Sequence, residues 1–160
     1  MAAQLAPSTG VRGEPGIDLL KMDVARLPAI GIERSEESAG ECEDGKELLC
    51  LLDDRFSVEV GFVDPNLESP DNEKTARVAD SLTTANTGFF WFFNKENIEL
   101  AVKVLDGRAI NGSFWILYGG LSDVQYKMTV EDTVTGESAS YENEKGSLCG
   151  RVDIEPFADP

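Results

Sequence analysis

The sequence predicts an all-β protein: an antiparallel β-sandwich, immunoglobulin-like or related, of about seven short strands with an N-terminal extension. Three observations predict it. Apolar side chains recur at every second residue in several segments, the period of a half-buried strand. Those segments are separated by clusters of Gly, Asn and Asp, which favour tight turns. No stretch of helical period joins them, whereas parallel strands need crossover connections.

Residues 1–16 (MAAQLAPSTGVRGEPG) are rich in Ala, Pro and Gly without periodicity and read as a leader. IDLLKMDVARLPAIGI (17–32) fits a short helix or an extended segment, with Pro28 limiting any helix to the residues before it. Nine acids and two bases between Glu33 and Asp54 read as an exposed loop. In RFSVEVGFV (55–63), Phe56, Val58, Val60 and Phe62 alternate with Ser57, Glu59 and Gly61, as in a half-buried strand. DPNLESPDNEK (64–74) reads as a loop, ARVADSLTT (76–84) as a weaker strand and GFFWFF (88–93) as an aromatic one. IELAVKVLD (98–106) alternates again. Asn111-Gly112 signals a tight hairpin leading into SFWILYG. VQYKMTVEDTV (124–134) places Val124, Tyr126, Met128 and Val130 on one face. Thr135-Gly136 turns the chain into ESASYEN, and RVDIEPF (151–157) supplies a last strand. The expected division is a leader and N-terminal segment at 1–41 and a sandwich domain at 42–157.

Composition narrows the function. In 160 residues, 30 acids oppose 14 bases, giving a net charge of −16, and there is no histidine. That removes Ser-His-Asp and Cys-His catalysis and His-ligated metal sites. So acidic a chain repels nucleic acid and anionic membrane surfaces, whose recognition needs Lys and Arg. No apolar run reaches the roughly 20 residues of a membrane span, and no basic-then-apolar signal peptide opens the chain. If exported, the chain is expected to be a mature form or an excised piece.

CEDGKELLCLLDDRFSVEV (42–60), TGFFWFF (87–93), NIELAVKVLDGRAINGSFWILYGGLSDVQYKMTVEDTVTG (97–136) and SYENEKGSL (140–148) together resemble a recurrent bacterial β-sandwich module. That module is appended to secreted and surface proteins, with the pattern RFxVEV…TGxFWFF…ELxVKVLDG…NGxFWxxYGxLxxVxYxxxVxDTxTG. The resemblance spans about residues 42–157 and implies an extracytoplasmic accessory role without established catalytic residues. It also implies a cysteine eight residues ahead of the first strand, a spacing that Cys42 and Cys50 reproduce, so a Cys42–Cys50 disulfide is expected. Cys50–Cys149 is the alternative pairing, and three reduced thiols in a cytoplasmic protein the plain one.

Two strands carry Phe89, Phe90, Trp91, Phe92, Phe93, Phe114, Trp115 and Tyr118. Alternation allows Phe90, Phe92, Phe114 and Tyr118 to be buried while Trp91, Phe93 and Trp115 form an outer aromatic face for a partner, or the reverse. Burial of all of them in the core is the commoner arrangement. Asp53, Asp54, Asp64, Asp71, Asp106, Asp123 and Asp132 fall at strand ends or loops, a weak signal for Ca²⁺ without the spacing of a known loop. No other cofactor and no metal is expected. NTGFFW (86–91) and YGG (118–120) show a faint likeness to the loops of chagasin-like cysteine-protease inhibitors, although a proline and a third loop are missing. The expected function is therefore a non-catalytic interaction module of an exported or cell-surface protein, binding a protein or glycan. A small secreted protease inhibitor and a calcium-dependent adhesion or carbohydrate-binding domain are the alternatives.

Overall fold

The computed structural model describes residues 40–158, so the expected leader and N-terminal segment at 1–41 lies outside them except for its last two residues. The described residues form ten strands: β1 (Leu48–Leu51), β2 (Phe56–Val63), β3 (Glu73–Thr75), β4 (Arg77–Val78), β5 (Thr87–Trp91), β6 (Leu100–Asp106), β7 (Ser113–Gly120), β8 (Tyr126–Asp132), β9 (Glu137–Asn143) and β10 (Gly150–Ala158). They form two five-stranded antiparallel sheets. The first runs β1-β2-β8-β9, with β3 sharing the edge of β2 beyond β1. The second runs β10-β7-β6-β5-β4. This is the all-β sandwich that the alternating segments predict.

Alternation builds the interior directly. Burial in β2 follows every second residue at Phe56, Val58, Val60 and Phe62, and in β6 at Leu100, Val102 and Val104. These meet Phe90, Phe114, Ile116, Met128, Val130 and Phe157 in one core. Aromatic rings close both ends. Phe56 packs against Phe114 and Phe157 at 4.9 and 5.4 Å, while Phe62 stacks on Phe92 at 4.6 Å. In geometries of this kind a ring pair contributes about 0.5–1.5 kcal/mol beyond its buried area.

Four local readings need correction. The acidic stretch to Asp54 is not all exposed loop: Leu49, Cys50 and Leu51 of β1 are buried, pairing with β2 on one side. A strand buried on both faces shows no alternation, so the pattern hid it. Residues 76–84 keep only the two-residue β4, followed by a 3-10 turn at Asp80–Leu82. Asn111-Gly112 is not a two-residue hairpin turn. A helical turn, α1 (Arg108–Asn111), joins β6 to β7, and Gly112 ends it at φ +75°. Finally, β3 lies within the segment read as loop.

The turn from β1 to β2 has three successive residues in the left-handed region: Leu52 (φ +53°), Asp53 (+52°) and Asp54 (+62°). The Leu52 N–H donates to Ala85 O at 2.7 Å, and the Arg55 N–H to Leu52 O at 3.2 Å. Side-chain residues are disfavoured there by roughly 1–2 kcal/mol, and glycine recovers that at a cost of about 0.5–1 kcal/mol in unfolded-chain entropy. Exposed Asp53→Gly is therefore expected to raise the unfolding free energy by about 0.5 kcal/mol. A lower urea midpoint than the parent's would contradict this.

At the other margin of the sandwich, β10 is an edge strand. Its register against β7 slips between Asp153 and Phe157, a stretch that includes Pro156. Tyr141 of β9 donates to Asp153 Oδ2 at 3.0 Å, tying the two sheets together on that side. Burial and the Asp153 carboxylate both push the Tyr141 phenol upward.

Candidate functional site

The two outward faces have opposite chemistry. On the first sheet, pairing aligns Glu59 with Thr129, Ser57 with Glu131, and Lys127 with both Gly61 and Glu142. The face is thus built mainly of hydroxyl and charged side chains, carboxylates with Lys127 among them. A groove of about 510 Å³ crosses it over Gly61, Lys127 and Glu142 beside Glu73, Thr75, Gln125 and Glu144. Lys127 reaches the Glu142 carboxylate at 3.5 Å across it.

The second sheet turns apolar side chains outward. Its residues form transverse rows set by the strand register. One row is Thr87, Lys103, Leu117 and Val152, and the next is Phe89, Ala101, Gly119 and Gly150. Leu105 and Trp115 form a third, with Ile154 of β10 near it. Val152 and Ile154 are 61% and 46% exposed. The Ala101–Gly119–Gly150 row is the floor of a shallow trough of about 410 Å³, with Leu117, Lys103 and Val152 along one side. Among these outward positions there is no carboxylate, although the chain carries 30 acids.

Alternation sorts the aromatic residues in the first of the two ways expected. Phe90, Phe92, Phe114 and Tyr118 are buried, Trp91 and Trp115 are half-buried and Phe93 is 44% exposed. The three outer residues are not gathered on one platform. Trp115 is level with Leu105, whereas Trp91, next after the Phe90–Leu100 pair, is level with residue 99. Six positions along a strand separate them by about 20 Å. Phe93 leaves the sheet and sets its ring edge-on to Phe62 at 5.2 Å, capping the core. Trp115 is also held from within: its Nε1–H donates to Asn111 Oδ1 at 2.9 Å, and its indole occupies the space above Gly107 that a Cβ would need. Arg77 lies 5.9 Å from the Trp91 ring and pairs with Glu47. Such long-range placement depends on strand pairing and is not readable from spacing.

Cys42 and Cys50 are bonded, with Cα atoms 5.8 Å apart, and Cys149 is free and half-buried, which excludes the Cys50–Cys149 pairing. The bond ties the segment before β1 onto that strand. The Cys42 N–H donates to Asp54 O at 3.2 Å and the Cys50 N–H to Asp44 Oδ1 at 2.7 Å. Asp44, Cys50 and Asp54 are the one group of possible metal ligands among the described residues. The Cys50 sulfur is committed to the disulfide and Asp44 to an N–H, so the cluster is poorly constituted for a cation. Asp132 does end strand β8, as expected, but it is 1% exposed and bound by Arg55. Asp106 is gripped by Arg108 at 2.8 Å, which holds its carboxyl below the usual range. Thr87–Trp91 is paired on both sides as β5, so the inhibitor-like NTGFFW is no protruding loop.

The alternation of residues 98–106 sets Glu99 outward with Lys103, and the structure corrects this: Glu99, just before β6, is a carboxyl only 1% exposed. Its Oε2 accepts the Phe92 N–H at 2.7 Å and its Oε1 a short hydrogen bond from Asn97 Nδ2. Burial raises its pKa, opposed by these two donors. A carboxyl raised in the folded state favours folding when protonated. That contribution is complete below the unfolded-chain value and is lost as pH rises through the folded one. Glu99→Gln cannot titrate, so parent stability should fall relative to the variant as pH rises from about 4 to 8. A urea-midpoint difference that is constant over this range would remove Glu99 from the titration. Burial likewise pushes the Tyr126 phenol up to about 12.

The chain matches no family model, no curated protein and no solved structure. No described helix is long and apolar enough to cross a membrane.

Proposed function

We propose that the protein is a non-catalytic interaction module of an exported or cell-surface protein and that it engages a protein partner through the outward face of the β10-β7-β6-β5-β4 sheet. The observation that carries this is the segregation of the two faces. One sheet meets solvent with carboxylates and hydroxyls, the other with Phe89, Leu105, Trp115, Leu117, Val152 and Ile154. Contiguous outward apolar side chains on a soluble surface mark sites of association. The trough offers mainly hydrocarbon and few hydrogen-bonding groups, Thr87 and Lys103 among them. A glycan, whose hydroxyls need polar partners, is served poorly by it. The disulfide and the resemblance to a secreted bacterial module support export.

The test uses three immobilised baits: the parent chain, Leu117→Glu on the apolar face and Glu131→Lys on the polar one. A protein from the native extracellular milieu is expected on the parent and the Glu131→Lys bait and absent from Leu117→Glu. Identical capture by all three baits would overturn the reading.

A further inference from the structure

We propose that the occupant of this face is a second copy of the same chain, docked about a twofold axis so that a ridge on each copy fills the trough of the other. The inference rests on the interaction reading above and adds the partner's identity. Its starting point is Gly119, in the middle of β7. No positive φ requires glycine there, and among the described residues a Cβ at that position would meet nothing within 4 Å. A strand glycine weakens pairing and leaves nothing to pack. Where the fold explains neither its conformation nor its size, close approach by another molecule does.

The relief around Gly119 is self-complementary. The trough row Phe89–Ala101–Gly119–Gly150 lies directly beside the ridge row Thr87–Lys103–Leu117–Val152, strand for strand. A twofold axis lying in the interface between the two rows, and parallel to them, exchanges ridge and trough. It sets Leu117 over the partner's Gly119, Val152 over the partner's Gly150 and the Lys103 stem over the partner's Ala101. This is the isologous arrangement expected of a cyclic dimer, and it brings two sheets face to face as in a sandwich core.

Charge permits this approach on one face only. Two chains of −16 repel each other, and the opposite sheet carries glutamates. Neither of the two rows carries a carboxylate, so the contact opposes cations only, Lys103 and the Arg151 that borders the trough. The face spans four strands about 4.8 Å apart and a few rows, which is less than the roughly 800 Å² per partner of a standard complex. Association is accordingly weak and concentration-dependent.

Sedimentation equilibrium of the full chain from about 10 µM to about 1 mM tests this. The apparent mass is expected to rise from 17.4 kDa toward twice that value. Leu117→Glu, which removes the ridge, and Gly119→Leu, which fills the trough, should each stay monomeric, the latter with an unchanged melting temperature. In a Cys149→Ser background, a mixture of Leu117→Cys and Gly119→Cys chains should oxidise to a crosslinked dimer faster than either chain alone. A parent monomeric at about 1 mM, or variants that dimerise as strongly as the parent, would overturn the second copy as occupant. If bait capture still depends on Leu117 in that case, the interaction face stands with a different partner. If capture is also lost, both readings fall.

Discussion

Removing either partner of the Arg55–Asp132 pair is expected to cost about 3–5 kcal/mol, the penalty of stranding one charge in the interior. The pair is 7% and 1% exposed. Arg55 Nε reaches both carboxylate oxygens at 3.1 Å, and Nη2 donates to Oδ2 at 2.8 Å. The guanidinium also lies 4.2 Å from the Phe114 ring centroid, so it is sandwiched between charge and aromatic surface. Asp132 Oδ1 additionally accepts the Val134 N–H, fixing the start of the β8–β9 turn. Arg55→Ala or Asp132→Ala should therefore lower the urea midpoint far more than most surface substitutions. The double variant Arg55→Met/Asp132→Leu should recover much of the loss, because apolar replacement leaves no buried charge. A single substitution costing less than about 1 kcal/mol would show that water reaches and solvates the remaining ion.

Opening the Cys42–Cys50 bond is the second large effect. Closing a loop of so few residues restricts the unfolded chain by an amount equivalent to about 2.5 kcal/mol on the loop-entropy relation. Cys42→Ser/Cys50→Ser, or reduction of the parent, should lower stability by that order. The loss is expected to be largest near β1, because the bond holds Cys42 against Asp54 and the end of that strand. Hydrogen exchange resolves this: faster exchange of Leu49 and Leu51 amides, with β6 and β7 unaffected, is the expected pattern. Uniform acceleration across both sheets would mean that β1 unfolds only with the whole domain.

Both effects bear on what the sequence reveals. The alternation of Phe56, Val58, Val60 and Phe62, and of Leu100, Val102 and Val104, made the layers legible, because one face of each strand is wet and the other dry. It also separated Phe90, Phe92, Phe114 and Tyr118 from their outward neighbours. β1 was hidden because its apolar run lies within an acidic stretch and is covered on both sides. Arg55 and Asp132, 77 residues apart, look like ordinary strand-end charges until pairing brings β2 beside β8. The apolar face was half legible. Each outward side chain follows from period two, but the trough of Ala101, Gly119 and Gly150 exists only once three strands are in register. The expectation of a common aromatic platform failed on the same ground, since Trp91 and Trp115 are outward on one sheet yet about six residues apart along it.

The slipped register of β10 makes that margin a poor template for fibril growth. A long, straight margin strand would template further strands from neighbouring molecules. Here the margin is interrupted between Asp153 and Phe157, and Pro156 contributes no N–H to an incoming chain. Lateral elongation from this margin is therefore disfavoured, even though the outward side of the same sheet is apolar.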